Sequence, residues 1–123
     1  MTEYITIIEV LTMHKILIDR YGGSHGVRDM GALESALFRP QTGYYEDVIQ
    51  EAAALWESIS QNHPFIDGNK RVAFAVTYTF LTANGLKIKA DNIKTYKFID
   101  DLYSKKCFEY KYLEQWLREN IHN

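Results

Sequence analysis

The chain has 123 residues, 46% of them hydrophobic and 24% charged, with a formal net charge of −2. That length sets a single domain, 1–123, able to bury roughly two thirds of its unfolded surface without staples. The charge balance gives no footprint for nucleic acid, the lone Cys107 forms no internal disulfide, and no signal-peptide pattern or long apolar run occurs; the chain therefore reads as cytoplasmic, with no direct nucleic-acid partner and no membrane.

From about Tyr4 to Tyr21 the residues Ile7, Ile8, Leu11, Ile16, Leu17 and Ile18 recur at helical spacing, and Gly22-Gly23 ends that helix. Asp29 caps a second, shorter helix carrying Leu33, Ala36 and Leu37, which stops before Pro40. Residues 41–47, QTGYYED, form a loop and the best candidate for a flap or short β-hairpin. Val48, Ile49, Ala52, Ala53, Leu55, Trp56 and Ile59 mark a third helix. Val72, Ala73, Ala75, Val76, Phe80 and Leu81 describe a fourth, apolar nearly all round and hence expected near the centre of the domain. Asn84-Gly85 ends it, Leu86–Lys89 is a short extended piece, and Asp91 caps a fifth helix with Ile93, Phe98, Ile99 and Leu102. Leu113, Trp116, Leu117 and Ile121 mark a sixth. Six helices on short connections imply an all-α bundle.

The third and fourth helices are joined by HPFIDGNKR, residues 63–71, where polar chemistry is concentrated between two apolar stretches. Pro64 disfavours helical geometry at His63, so the third helix ends there. Phe65 and Ile66 can pin the loop to the core, which leaves His63 and Asp67 at its rim. Gly68 permits a tight turn or a close ligand. Asn69, Lys70 and Arg71 open the next helix, whose first N–H groups lack internal partners and whose dipole favours an anion. Glycine, free amides and cations at a helix start make a phosphate site. Asp67 is a natural oxygen ligand for Mg2+ shared with substrate phosphates, and an imidazole can take a proton near neutral pH. The same residues could instead make a plain helical hairpin, with Asp67 or Asn69 as N-cap and the cations solvated.

The loop resembles the signature of the Fic/Doc (Fido) family, HPFx[D/E]GNxRxxR, which stands here as HPFIDGNKRVAF. The match covers His63, Pro64, Phe65, Asp67, Gly68, Asn69 and Arg71. Lys70 replaces the usual Gly of adenylyl-transferring members, and Phe74 replaces a second Arg. Both departures are similar to the Doc, or death-on-curing, branch. So are YGG…GVRDMGALESALFRPQ upstream and FLTANG downstream, and the resemblance spans most of residues 20–90.

The resemblance implies an all-α Fido bundle with a central buried helix. It implies His63 as general base for a protein hydroxyl, Asp67 as the Mg2+ ligand, Gly68, Asn69 and Lys70 as an anion nest, Arg71 as a phosphate holder and Phe65 as a structural anchor. Tyr44 and Tyr45 fall in the segment corresponding to the flap that positions the target. Lys70 would crowd the nucleotide pose used for adenylyl transfer. Doc-type members are understood to bind ATP reversed and to transfer its γ-phosphate, the family substrate being elongation factor Tu. A Phd-type antitoxin whose disordered tail folds into a groove is the implied partner. AMP transfer (AMPylation) is the runner-up reaction.

Other readings are weaker. Arg20 and His25 have the Arg-x4-His spacing of HEPN-type ribonucleases, but Gly22-Gly23 interrupts the helix such a pair needs. His63 and Asp67 lack the neighbouring ligands of a hydrolytic metal site. His14 reads as a packed or surface residue and His122 as a solvated terminus. Thr42 to Glu46 has the T-xxx-E spacing of the family's inhibitory helix, but Asp47 follows and the match is read as coincidence. With His63, Asp67, Asn69 and Arg71 all present, nothing points to an inactive binding module.

Overall fold

The structure is a computed structural model; it describes residues 1–122, with the side chain of His122 and all of Asn123 outside the described residues. Six helices run in chain order: α1 Ile7–Tyr21, α2 Met30–Phe38, α3 Val48–Asn62, α4 Asn69–Ala83, α5 Asn92–Ser104 and α6 Tyr110–Asn120. Four begin at a side-chain cap. Thr6 and Glu9 form a reciprocal capping box on α1, and Asp29, Asp47 and Asp91 each accept from the third residue of their helix.

α3 and α4 are the central pair. α3 is the more enclosed: Ala52 through Trp56 are all buried, and the helix packs on α4, α6 and α2. Trp56 is fully buried and meets Phe74, Phe98, Phe108 and Trp116 with ring centroids 5.5–6.2 Å apart. Such tilted and edge-on contacts are worth ~0.5–1.5 kcal/mol each beyond area burial. On α1 the buried ridge is Val10, His14 and Ile18. Ile8 and Ile16, counted as apolar-face residues from the sequence, are exposed, as is Ile93 on α5.

Two expectations need correction. Residues 41–47 form no hairpin. Arg39–Gln41 is a single 3-10 turn and the residues that follow bend without pairing. Gly43, at φ +83°, breaks the extended run such a strand would need. The two-stranded antiparallel sheet of the described residues lies elsewhere: β1 Lys87–Ile88 against β2 Ile121–His122, in register Ile88 to Ile121. Ile121 therefore belongs to a strand, with φ −108° and ψ +129°, and not to the last helix. The i+4 spacing from Leu117 disguised the change, because one residue of a pairing strand can occupy the same side as the turn before it. Among the described residues, no helix is long and apolar enough to cross a membrane.

Candidate active site

His63 ends α3 in a left-handed conformation, φ +46° and ψ +55°. Non-glycine residues adopt this at a cost, and the following proline disfavours a further right-handed helical turn at this position. Arg28 holds the corner from outside: its Nε donates to the His63 carbonyl at 2.7 Å and its Nη2 to the Asn62 carbonyl at 2.9 Å. Two helix-terminal carbonyls are thus satisfied by one guanidinium.

Phe65 is the pin, 1% exposed. Its ring stacks on His14 with centroids 3.8 Å apart and planes at 8°. The His14 Nε2–H donates to the Asp67 carbonyl at 2.7 Å, which fixes the tautomer of this buried imidazole. Asn69 closes the turn. Its Oδ1 accepts from the Phe65 N–H and its Nδ2 donates to the Phe65 carbonyl, both at 3.0 Å. The Asn69 side chain is therefore committed to the loop, leaving only its backbone N–H for an anion. Replacing Asn69 by Ala should cost about 1–3 kcal/mol by orphaning both groups of Phe65, read as a lower midpoint in urea with an unchanged slope.

Residues 22–29 clamp the loop from the opposite side. The Pro64 carbonyl accepts from the N–H groups of Arg28 and Asp29, and the Ile66 N–H donates to the Gly26 carbonyl. The Ser24 N–H donates to Asp67 Oδ2 at 3.1 Å and the Gly68 N–H to Asp67 Oδ1 at 2.8 Å. These two amides, then the positive charge of Arg71, hold the Asp67 carboxyl below the usual carboxylate range, so it stays charged as pH falls. A Cβ on Gly23 would stand 2.7 Å from Asp67 Oδ2, which is why that close approach needs glycine.

α4 starts without a side-chain cap. Gly68 occupies the N-cap in the left-handed region at φ +77°. Neither Asp67 nor Asn69 caps the helix, against the plain-hairpin reading. The N–H groups of Asn69, Lys70 and Arg71 have no hydrogen-bond partner among the described residues. These three residues line a cleft of about 920 Å3 together with His63, Asp67 and Gly68, within the ~300–1,000 Å3 range of small-molecule sites. Arg71 donates to the Gly22 carbonyl at 3.2 Å, with its guanidinium over the Tyr21 ring. Lys70 Nζ lies 4.2 Å from the centre of the Tyr103 ring. Phe74, at the position of the family's second Arg, packs on Trp56 and Tyr78.

A second cavity, of about 550 Å3, is also lined by His63 and opens between Arg39, Glu57, Asn62 and Lys106. Arg39 organises its edge. It pairs with Glu57 at 2.7 Å, donates to Ser58 Oγ and donates to the Tyr45 hydroxyl at 2.7 Å. Tyr45 is thereby packed, against Tyr110 as well, whereas Tyr44 is 82% exposed. The structure thus brings His63, Asp67, Gly68, Asn69, Lys70 and Arg71 to one cleft. It ties Tyr45 to Arg39, which lines the second cavity, and leaves Tyr44 in solvent.

An oxygen-loving cation suits this donor set. The Asp67 oxygens each have one amide partner and keep further lone pairs toward solvent, and one carboxylate plus substrate phosphates is what Mg2+ commonly uses. Among the described residues no group of three or more His, Cys, Asp and Glu could build an all-protein cage.

A family model described as Fic/DOC family matches residues 4–81, from ahead of α1 through most of α4. This chain belongs to the Fic/DOC family. It is 45% identical over 96 residues to Toxin Doc of Mycolicibacterium smegmatis (strain ATCC 700084 / mc(2)155), covering 74% of this chain and 72% of that protein. It is 33% identical over 84 residues to Protein kinase doc of Escherichia phage P1, covering 65% of this chain and 67% of that one. Both relatives carry the Doc name, and within the family the chain stands on the Doc branch. The Fic/DOC match contains the whole corner from His63 to Arg71.

Sequence reasoning missed four contributors: His14, Arg28, Ser24 and Tyr103. His14 alone left a readable signal, standing at i+4 between Val10 and Ile18 on the buried ridge of α1.

Proposed function

We propose that this chain transfers the γ-phosphate of ATP to a hydroxyl group of a target protein, acting as the toxin of a toxin–antitoxin pair in the cytoplasm. The observation that carries the reading is His63 lining two cavities, one that includes an uncapped helix start beside a carboxylate, the other bounded by Arg39, Glu57 and Asn62. The larger cleft suits a triphosphate. Free amides at α4 receive phosphate oxygens, and Lys70 and Arg71 add charge where it develops. Bound Mg2+ at Asp67 would neutralise the phosphates. The smaller cavity suits the acceptor segment, so that a hydroxyl enters beside the imidazole.

In the transfer, the imidazole accepts the hydroxyl proton while the oxygen forms a bond to the γ-phosphorus. The bond from that phosphorus to the bridging oxygen breaks and ADP leaves. The printed names of the two relatives, a toxin and a protein kinase, support this reading. By the same resemblance the target is elongation factor Tu, so that phosphorylation would block translation, and the partner is a Phd-like antitoxin whose tail folds on the toxin.

Nucleotidyl transfer is the second reading, since the cleft and the His63 corner serve either bond at the phosphate chain. ATP labelled at the γ or the α position separates the two. With wild-type protein, Mg2+ and elongation factor Tu, label is expected on the target from γ-labelled ATP alone. Label arriving from the α position would replace the kinase reading with AMP transfer.

A further inference from the structure

We propose that Tyr103 is a positioning residue for Lys70, and that the two act as one unit at the wall between the nucleotide cleft and the acceptor cavity. Tyr103 lines both cavities, as does His63. The Lys70 ammonium sits 4.2 Å from its ring centre, closer than the other Lys–aromatic and Arg–aromatic contacts of the chain, which span 5.0–6.0 Å. A lysine in the first turn of an exposed helix start would otherwise sample many rotamers and lose that entropy on gripping a phosphate.

The ring is itself fixed from two directions. It stacks on the buried Phe108 with centroids 4.4 Å apart and planes at 17°. Its hydroxyl is hydrogen-bonded to Ser60 Oγ, a buried side chain on the last turn of α3 just before His63. Burial keeps the Tyr103 hydroxyl protonated above the usual tyrosine range, so the ring is neutral and its face attracts a cation. One side chain of α5 therefore ties the end of α3 to the first turn of α4. Its effect is to hold the ammonium in the cleft that His63 also lines, where a phosphate crossing toward the second cavity would gather charge. Nothing in the spacing of the sequence joins Tyr103 to this loop. The kinetic consequence rests on the phosphotransfer proposed above; the geometry does not.

The kinetic arm is a double-mutant cycle between Lys70→Met and Tyr103→Leu, with kcat and KM for ATP measured on γ-labelled substrate. Tyr103→Leu is expected to lower kcat about threefold to tenfold, as loss of one oriented cation contact would, while KM changes little. Tyr103→Phe, which keeps the ring face, recovers most of that loss. In the Lys70→Met background Tyr103→Leu adds nothing further. Additive losses, or a Tyr103→Phe variant as poor as Tyr103→Leu, would overturn the proposal. The second arm uses wild-type protein and needs no variant to fold. The ε-methylene protons of Lys70 should resonate upfield of those of the other lysines, shielded by the Tyr103 ring. Ordinary lysine shifts there would sink the pairing even if γ-phosphate transfer is found. Upfield shifts in a chain that transfers no γ-phosphate would instead retain the pairing and reject the kinase reading.

Discussion

Replacing His63 by Gly is expected to abolish the phosphate transfer proposed above without lowering stability. The residue sits at φ +46° and ψ +55°, where an L side chain costs roughly 1–2 kcal/mol. Glycine removes that strain but widens the unfolded ensemble, which costs about 0.4–1 kcal/mol. The first effect equals or exceeds the second, so the melting temperature should hold or rise. The imidazole is exposed and lines both cavities, so little packing is lost with it. Activity behaves oppositely. Loss of a positioned general base typically costs ~10^2–10^4-fold in rate. Radiolabel transfer from γ-labelled ATP, read beside a thermal melt, tests both halves. A His63→Ala protein, which keeps the strain, serves as the companion variant and should be equally inactive. Substantial transfer by either variant would remove His63 from the mechanism. A marked drop in the melting temperature of the glycine variant would mean that the left-handed corner is held by imidazole contacts and carries no strain worth relieving. The strained conformation is thus read as a cost borne for function, since it turns the side chain out of α3 toward the two cavities.

The helices were legible because their signals are local. Asp29, Asp47 and Asp91 each accept from the amide three residues later, and Gly22 and Asn84-Gly85 stop α1 and α4 where expected. That His63, Asp67 and Gly68 through Arg71 share one place was legible for the same reason, since they lie within nine residues of one another. What supports the loop was not legible. His14 reaches Asp67 across 53 positions, Arg28 reaches His63 across 35, and Ser24 reaches Asp67 across 43. No periodicity encodes such pairings; they exist only after α1 docks on α4. The absent hairpin at residues 41–47 failed differently. Aromatic Tyr44 and Tyr45 raise strand propensity, but Arg39 takes the Tyr45 hydroxyl as a partner and folds the segment back on α3. A tertiary ion pair outweighed a local preference.

The largest expected loss of stability at the site comes from Phe65→Ala, and it should take the site's geometry with it. Phe65 is 1% exposed, packs in the main core and stacks on His14. Emptying such a position typically costs about 3–5 kcal/mol, a large share of the ~5–15 kcal/mol that holds a domain together. Part of the cost is indirect. His14 loses its stacking partner while its Nε2–H still donates to the Asp67 carbonyl, and the Asn69 amide keeps two bonds to the residue-65 backbone. The loop therefore stays tethered at its polar ends while its apolar pin is gone. Its Asp67 and Gly68 would then sample several positions relative to the α4 amides. Phe65→Leu is the discriminating control, since it fills more of the space but cannot stack. Chemical denaturation should rank wild type above Phe65→Leu above Phe65→Ala. Activity per folded molecule should fall along the same order, because each loosening lowers the share of loops in the productive arrangement. If Phe65→Ala, assayed at a temperature where it remains fully folded, kept wild-type transfer, the corner would owe its shape to the polar clamps alone, and the apolar pin would matter to stability and not to catalysis.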